Sequence, residues 1–213
     1  MANDSTTGGP LLPDASPAPL EGQGLNRFLS GWVAGITGLS GNLIRPRWQP
    51  FPADPPAPAP GSGPTPGAVI WAAVGVTTRR KLGFPQVILD PAAGGGLGEA
   101  TLFQQEQLEL LCSFYDQGVS GDADSYASTL RDGALLGQNN EALFLAGFGL
   151  IDVGDIVPLP TLLKDRWYYR ADLSIMLQRQ IQRTYPIRTL ITAGGTIDTD
   201  FSTPQYTIPF TAA

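Results

Sequence analysis

The sequence predicts an α+β fold, with a mainly antiparallel sheet flanked by helices and an extended arm at each end of the chain. Apolar residues recur at helical spacing in residues 25–39, whereas apolar and polar residues alternate through residues 167–183. Both ends of the chain lack a strong apolar period and are rich in glycine, proline or threonine. The predicted helices and strands follow one another in an order typical of the α+β class.

The first 67 residues are predicted to contain an arm, a helix, a short strand and a proline-rich segment. Residues 1–24 hold four prolines, four glycines and no aromatic residue, so we expect a flexible arm. Residues 42–48 predict a short strand at an edge or end of the sheet, because Pro46 cannot donate a ladder hydrogen bond. Residues 49–67 hold eight prolines and predict a semi-rigid linker or long loop. Between arm and strand, an amphipathic helix is expected from the helical spacing of Leu25, Phe28, Leu29, Trp32 and Ile36.

The next part of the chain is predicted to supply three strands. Residues 68–79 and 84–90 indicate two separate strands, followed by a mobile glycine loop at residues 92–98. Residues 101–115 fit a helix in part, but a strand is favoured because apolar residues alternate with polar ones in the second half. The alternating apolar residues are Leu108, Leu110, Cys112 and Phe114.

Two helices are expected after these strands. Residues 121–136 form the first, with acidic residues in its first turn and Ser120 or Asp122 as its cap. Residues 141–146 form the second, with Asn139 or Asn140 as its cap. Residues 150–163 are predicted to be short strand and loop.

The clearest strand pattern lies near the C-terminus. Residues 167–183 predict a long strand with one buried face and one largely polar face. Residues 185–191 indicate a further strand, and residues 193–213 are expected to form a C-terminal arm. The predicted organisation is therefore an arm at 1–24, a domain at 25–195 and an arm at 196–213.

Composition narrows the possible functions. Only 15% of the residues are charged, which suits a subunit that buries neutral surface against neighbours. The net charge of −6 argues against a general nucleic-acid binder, although DNA could slide past an acidic wall without being gripped. The sequence has no histidine, which excludes Ser-His-Asp and Cys-His catalysis and histidine metal ligands. Carboxylate, lysine or tyrosine chemistry stays open.

The single cysteine and the hydropathy narrow the possible functions further. Cys112 falls in the apolar register of its strand, so we expect a core thiol, and no intrachain disulfide or multi-thiolate zinc site can form. The N-terminus lacks the pattern of a signal peptide, and no apolar run reaches the length of a membrane helix. We expect a protein made in a cytoplasm, with no membrane contact and no cofactor.

Two motifs are compatible with ligand binding, but a hairpin loop and helix capping explain them better. Residues 94–98 (GGGLG) are not followed by Lys-Ser or Lys-Thr, and a strand is expected after them, so a hairpin loop is favoured over a phosphate site. Asp122 and Asp124 have the spacing that begins a calcium loop, but the later glycine and glutamate are missing. Helix capping is therefore the favoured role for these two aspartates.

Two charged motifs leave other roles open. Asp152 and Asp155 could do acid–base work as a carboxylate pair, but a turn at Gly154 explains them better. Arg79, Arg80 and Lys81 form the only basic run, which could touch DNA or a partner's acids, although a solvated strand end is favoured.

The polar side of the long strand is the candidate contact surface. Such a face can be plain solvent-facing sheet, a subunit contact or the wall of a channel, and the sequence does not separate these. The candidate residues are Tyr168, Arg170, Gln178, Gln180 and Gln182, together with Arg179 and Arg183.

Two long stretches resemble the phage neck terminator (tail-terminator) family of long-tailed phages. They are EQLELLCSFYDQGVSGDADSYASTLRDGALLGQNNEALFLAGFGLIDVGDI and WYYRADLSIMLQRQIQRTYPIRTLITAGG. The passage from Cys112 to Leu136 and the long strand with the RTYPIRT run carry most of the resemblance. RPRW at residues 45–48 adds to it. The likeness covers most of residues 24–195, and the proline-rich segment and both arms lie outside the recognised pattern.

The resemblance implies a structural virion protein without enzymatic activity. Members of this class usually assemble as a ring of six copies that caps the tail tube and joins it to the head connector. The implied partners are further copies of the chain, the tail tube and possibly the sheath, the head connector, and genomic DNA passing through the pore.

Three other functions are weighed against this one. A head-completion or adaptor protein under the portal would share the virion setting. A carboxylate-dependent hydrolase would depend on Asp152 and Asp155 alone. A DNA-binding module is disfavoured by the acidic balance.

Overall fold

The computed structural model describes residues 9–14, 19–48, 70–96, 98–116, 122–163 and 166–187, together with four two-residue strands towards the C-terminus. The helices are α1 (Gly22–Thr37), α2 (Ala93–Gly96), α3 (Asp122–Ala134) and α4 (Glu141–Leu145). Two single 3-10 turns lie at Gly41–Leu43 and Gly137–Asn140. The main strands are β1 (Ile44–Pro46), β2 (Trp71–Asp90), β3 (Glu99–Asp116), β4 (Phe148–Leu163) and β5 (Arg166–Tyr185).

These strands form one five-stranded, mostly antiparallel sheet, which confirms the predicted α+β class. The strand order is β1-β2-β3-β5-β4, so β1 and β4 are its two edge strands. β1 runs parallel to β2, with Ile44 opposite Ala72. β4 and β5 are antiparallel along nearly their whole length, from Phe148 opposite Arg179 to Leu163 opposite Arg166.

The chain divides into two compact units. The larger unit comprises Pro19–Pro85 and Gln104–Ile181 and contains the main core. The smaller unit comprises Met1–Ala18, Gln86–Phe103 and Gln182–Ala213.

Helices α1, α3 and α4 all contribute to the core of the larger unit. In α1 the buried residues recur with the period of a helix and face the sheet: Leu25, Leu29, Trp32, Val33 and Thr37. Gly38 ends this helix at φ 71°, and its N–H donates to the Ala34 carbonyl, so a residue without a Cβ fits there at no steric cost. The strands complete the core with alternate residues such as Leu110, Phe114 and Ile175. A smaller cluster on the other strand register contains Trp71, Ala73, Tyr115 and Tyr168.

The smaller unit is organised around turns and short pairings. The Asp14 N–H donates to the Thr184 carbonyl at 2.8 Å. The turn between β2 and β3 begins where the Asp90 carboxylate accepts hydrogen bonds from the N–H groups of Ala92 and Ala93. Further along, β6 (Thr192–Ala193) pairs with β9 (Phe210–Thr211), and β7 (Thr196–Ile197) pairs with β8 (Tyr206–Thr207). The sequence, which shows no period in this region, did not predict these pairs.

Three predictions about strands are wrong. Residues 71–90 form one strand rather than two, because the polar run around Arg80 stays extended along an exposed part of β2. Residues 148–163 form a full strand rather than a short strand and loop, with bulges that absorb the irregular sequence. Residues 186–187 lie outside any strand, since β5 already ends at Tyr185.

The prediction for the second helix cap is also wrong. Asn140 occupies the N-cap position of α4 but makes no side-chain cap. Its Nδ2 instead donates to the Ala134 carbonyl at 2.6 Å, and the Nδ2 of Asn139 donates to the Gly133 carbonyl at 2.8 Å. Both amides therefore satisfy carbonyls at the C-terminal end of α3, which have no partner inside that helix.

Several predictions fall outside the described residues. These are the proline-rich segment 49–67, the cap at Ser120, half of the N-terminal arm and most of the C-terminal arm. Residues 188–191 of the predicted last strand also lie outside them.

Candidate assembly surface

The structure places Tyr168 and Arg170 on the register of β5 that faces the smaller cluster. Tyr168 is buried within that cluster. The guanidinium of Arg170 lies 5.8 Å from the ring centre of Tyr115, and its Nε donates to Asp172 Oδ1 at 2.6 Å. Burial opposes the charge of Arg170, but the hydrogen bond with Asp172 and the electrostatic attraction of Tyr115 and Asp172 together outweigh burial and raise the arginine pKa above its ordinary value. Both predicted contact residues thus have partners within the chain.

Arg179 lies on the opposite register of β5, in an ion-pair cluster. Its side chain is buried, and its Nε donates to Glu106 Oε2 at 2.9 Å. Arg79 donates to the other oxygen of Glu106 at 2.9 Å and also reaches Glu21, which immediately precedes α1. A second N–H of Arg179 donates to the carbonyl of Leu20. Arg79, Glu106, Arg179 and Glu21 together fix the start of α1 to strands β2, β3 and β5.

The charge on Glu106 is stabilised by this cluster. Burial alone would raise the pKa of Glu106, but the hydrogen bonds and positive charges of Arg79 and Arg179 together outweigh burial and hold that pKa below its ordinary value. The sequence carried a signal for both buried charges. Glu106 falls in the register of Leu108 and Leu110, and Arg179 falls in the register of Ile175 and Leu177.

The glutamines of β5 form the exposed part of the candidate surface. Gln178, Gln180 and Gln182 are exposed, and Arg183 is half-buried. Their role as a subunit contact or channel wall stays a prediction.

The basic run lies inside β2 rather than at a strand end. Arg79 belongs to the ion-pair cluster, whereas Arg80 and Lys81 are exposed. The Lys81 ammonium lies 5.7 Å from the ring centre of Phe84, whose side chain is 97% exposed. One of the three cations therefore has a structural role, and two lie at the surface.

Asp152 and Asp155 lie on bulges in the edge strand β4, so the predicted turn at Gly154 is wrong. Ile151 has no partner on β5, because Leu150 pairs with Leu177 and Asp152 pairs with Met176. A second bulge puts Gly154 and Asp155 opposite a single residue, Ser174, between two regular pairs. A Cβ on Gly154 would lie 3.1 Å from the Ser174 carbonyl oxygen, so this bulge is tightly packed. Such bulges redirect side chains, and here Ile151 and both aspartates are exposed.

A groove lies at the other edge of the sheet, between α1 and β1. Its volume is about 370 Å³. Arg27, Ser30 and Gly31 of α1 line one side, and Ile44, Pro46 and the half-exposed Trp48 line the other. Nothing lies within 4 Å of a Cβ placed on Gly31, so the helix surface is open there.

Large apolar side chains at the surface were not predicted from the sequence. At the corner between α3 and α4 they are Leu135, Leu136, Phe144 and Leu145, and along the β4–β5 hairpin they are Val157, Leu159, Leu162 and Trp167. Contiguous exposed apolar surface is typical of sites that bind other proteins. No periodicity signalled these residues, because the same types also fill the core.

The described residues show few features of a catalytic or metal-binding site. Burial raises the pKa of the Cys112 thiol, which confirms a core thiol. Within the described ranges, no group of three or more Cys, Asp or Glu side chains could hold a metal ion. No helix in the described part of the chain is long and apolar enough to span a membrane. Asp122 and Asp124 occupy the first turn of α3, where a helix N-terminus favours negative charge.

Comparison with known families gives one match. A family model described as phage neck terminator protein matches residues 23–200, which is most of the 213-residue chain. This chain belongs to the phage neck terminator family. No curated protein matches the sequence significantly.

Membership of the neck terminator family fixes the broad role. The family consists of structural proteins of the phage neck, so the chain is a virion component that contacts other neck or tail proteins. The match includes the whole sheet and α1, α3 and α4, and therefore both edge features described above.

Proposed function

We propose that the protein is a ring-forming tail terminator that caps the tail tube and joins it to the head connector, leaving a channel for DNA. The observation that carries this proposal is the family match across residues 23–200. A homohexamer is the expected assembly, and its site of action is the neck between head and tail, after assembly in the host cytoplasm.

The surface of the chain supports an assembly role. A neutral composition with only 15% charged residues makes burial of surface between copies inexpensive. Exposed apolar residues such as Phe144, Leu145 and Trp167 provide side chains of the kind that stabilise protein interfaces. The net charge of −6 suits a pore that DNA traverses without specific binding.

The protein is not proposed to act as an enzyme. The hydrolase hypothesis depends on Asp152 and Asp155, which are exposed on the edge strand β4. A hydrolase would show hydrolytic activity as purified wild-type protein in vitro. The variant Asp152→Asn with Asp155→Asn would then fail to form particles because that hydrolytic step is lost.

The experiment that tests the function is electron microscopy of particles from a phage that lacks this gene, with tail length and head attachment scored. We expect tails of irregular length beside full, unjoined heads. The matched control restores the gene on a plasmid and should return joined particles with tails of uniform length.

Two outcomes would contradict the tail-terminator role. Normal tails beside heads that leak DNA would assign the protein to head completion under the portal. Joined particles with normal tails that fail only at a later step would remove the neck role altogether.

A further inference from the structure

The two edges of the sheet in the larger unit carry opposite charge. Residues 22–48, which include α1 and β1, contain three arginines and no acidic residue. Residues 148–163, which form β4, contain two aspartates and no basic residue. Within these two ranges, the α1–β1 edge is therefore basic and the β4 edge is acidic.

The acidic edge is exposed and is not arranged for strand pairing. Its two bulges expose Ile151, Asp152 and Asp155. Pro158 and Pro160 lack the N–H groups that a neighbouring strand would need, so continuous strand addition along β4 is blocked. Among the described residues neither aspartate has an ion-pair or hydrogen-bond partner, so both carboxylates are available to another molecule.

The basic edge is concave. The groove between α1 and β1 has apolar walls at Ile44 and Trp48 and a cation at its rim in Arg27, which is exposed. The open position at Gly31 lets another chain approach the helix closely. A volume of about 370 Å³ accommodates a few apolar side chains.

We propose that β4 of one copy docks in the α1–β1 groove of the next copy. Ile151 enters the groove, and Asp152 and Asp155 lie against the basic edge that carries Arg27. Because the two surfaces lie on opposite edges of one sheet, the contact is heterologous and repeats from copy to copy, as a closed ring requires. The proposal rests on the proposed ring and names the surface that closes it.

Disulfide cross-linking in purified particles tests this contact. The particles carry Ile151→Cys and Gly31→Cys in the same chain, and they are oxidised with copper phenanthroline and run on a non-reducing gel. We expect a ladder of covalent multimers that collapses to monomer on reduction. The native Cys112 is buried and should not contribute.

Matched controls distinguish the proposed interface from cysteines that merely lie close together in the particle. Each single cysteine variant should give at most a dimer, and Ile151→Cys paired with Gly137→Cys should give no ladder. Gly137 has the same open space around its Cβ but does not line the groove. Protein present in the particle neck without a ladder would overturn the interface and leave the neck role intact. Protein absent from the neck would instead overturn the proposed function.

Charge reversal tests the electrostatic part of the same contact. Asp152→Lys with Asp155→Lys should weaken association of the purified chain by about tenfold or more, and Arg27→Glu should also weaken it. A chain with all three reversals should recover part of the lost association, because the new carboxylate at position 27 faces the two new ammonium groups while Arg45 and Arg47 keep their charge. Failure of the triple variant to recover, with each variant folded by circular dichroism, would exclude the charge pairing.

Discussion

The helix-covered core of the sheet and its two edges differ in whether their polar side chains have hydrogen-bond or ion-pair partners within the chain. In the core, the buried charges of Glu106 and Arg179 are paired, since Glu106 accepts from Arg79 and Arg179, and both asparagines before α4 donate to helix carbonyls. At the edges, exposed aspartates lie beside exposed apolar residues such as Ile151, and a groove stands open beside α1. The core features are explained by the stability of one chain. The edge features contribute nothing evident to that stability, and the proposed interface between copies gives them a role.

The largest expected effect on stability follows removal of Arg179 from the core. Arg179→Ala leaves the buried carboxylate of Glu106 with one partner fewer, and we expect a loss of about 3–5 kcal/mol in the free energy of unfolding. Urea denaturation of the purified chain measures it. The double variant Arg179→Met with Glu106→Gln should lose less, since no buried carboxylate is then left short of a partner. A loss below about 1 kcal/mol for the single variant would contradict the paired-charge account.

The second prediction compares two glycines on the facing helices. A Cβ on Gly133 of α3 would lie 2.5 Å from Ile36 Cγ2, so Gly133→Ala should destabilise the chain by about 1–3 kcal/mol. Gly35 of α1 has no atom within 4 Å of its Cβ, so Gly35→Ala should stabilise by up to about 1 kcal/mol. Thermal unfolding of both variants measures the contrast, and equal shifts would show that the helices are not in close contact at Gly133.

Acidification should weaken the core through Glu106. Its pKa is lower in the folded chain than in the unfolded one, so its stabilising contribution is complete above the ordinary glutamate pKa, about 4.3, and is lost as pH falls through the folded value. The difference in unfolding free energy between wild type and Glu106→Gln should therefore narrow from pH 7 to pH 3. Urea denaturation across that range checks it, and a difference independent of pH would argue against an ionised Glu106.

The smallest stability effect is expected at the acidic edge. Asp152→Asn with Asp155→Asn should change the unfolding free energy by no more than about 0.5 kcal/mol, because these carboxylates have no described partner in the chain. The same variant should associate more weakly in analytical ultracentrifugation. Strong destabilisation of the isolated chain would show that the edge belongs to the fold rather than to an interface.

The sequence was sufficient to predict the elements that repeat regularly. Alternation in residues 167–183 gave β5, and helical spacing around Trp32 gave α1, because burial of one face imposes those periods. Periodicity did not predict the full length of β2 and β4, because both strands continue beyond the core through polar residues and prolines. The Asp152 and Asp155 pair around Gly154 predicts a turn, whereas the structure has a bulge, because a bulge depends on the register of a neighbouring strand that no local pattern reveals.

The groove and the exposed apolar residues could not be predicted either. Arg27 and Trp48 lie 21 positions apart in sequence and line the same concavity only because β1 packs beside α1. The apolar residues at the α3–α4 corner have the same composition as a core segment, so only the fold distinguishes them as exposed.

The most direct test of the central claim is a reconstruction of the particle neck by electron cryomicroscopy. We expect a ring at the junction of head and tail whose subunits fit the five-stranded sheet with α1, α3 and α4, with β4 of each copy against α1 of the next. A neck reconstruction that contains no density matching this fold would contradict the claim that the protein forms the terminator ring.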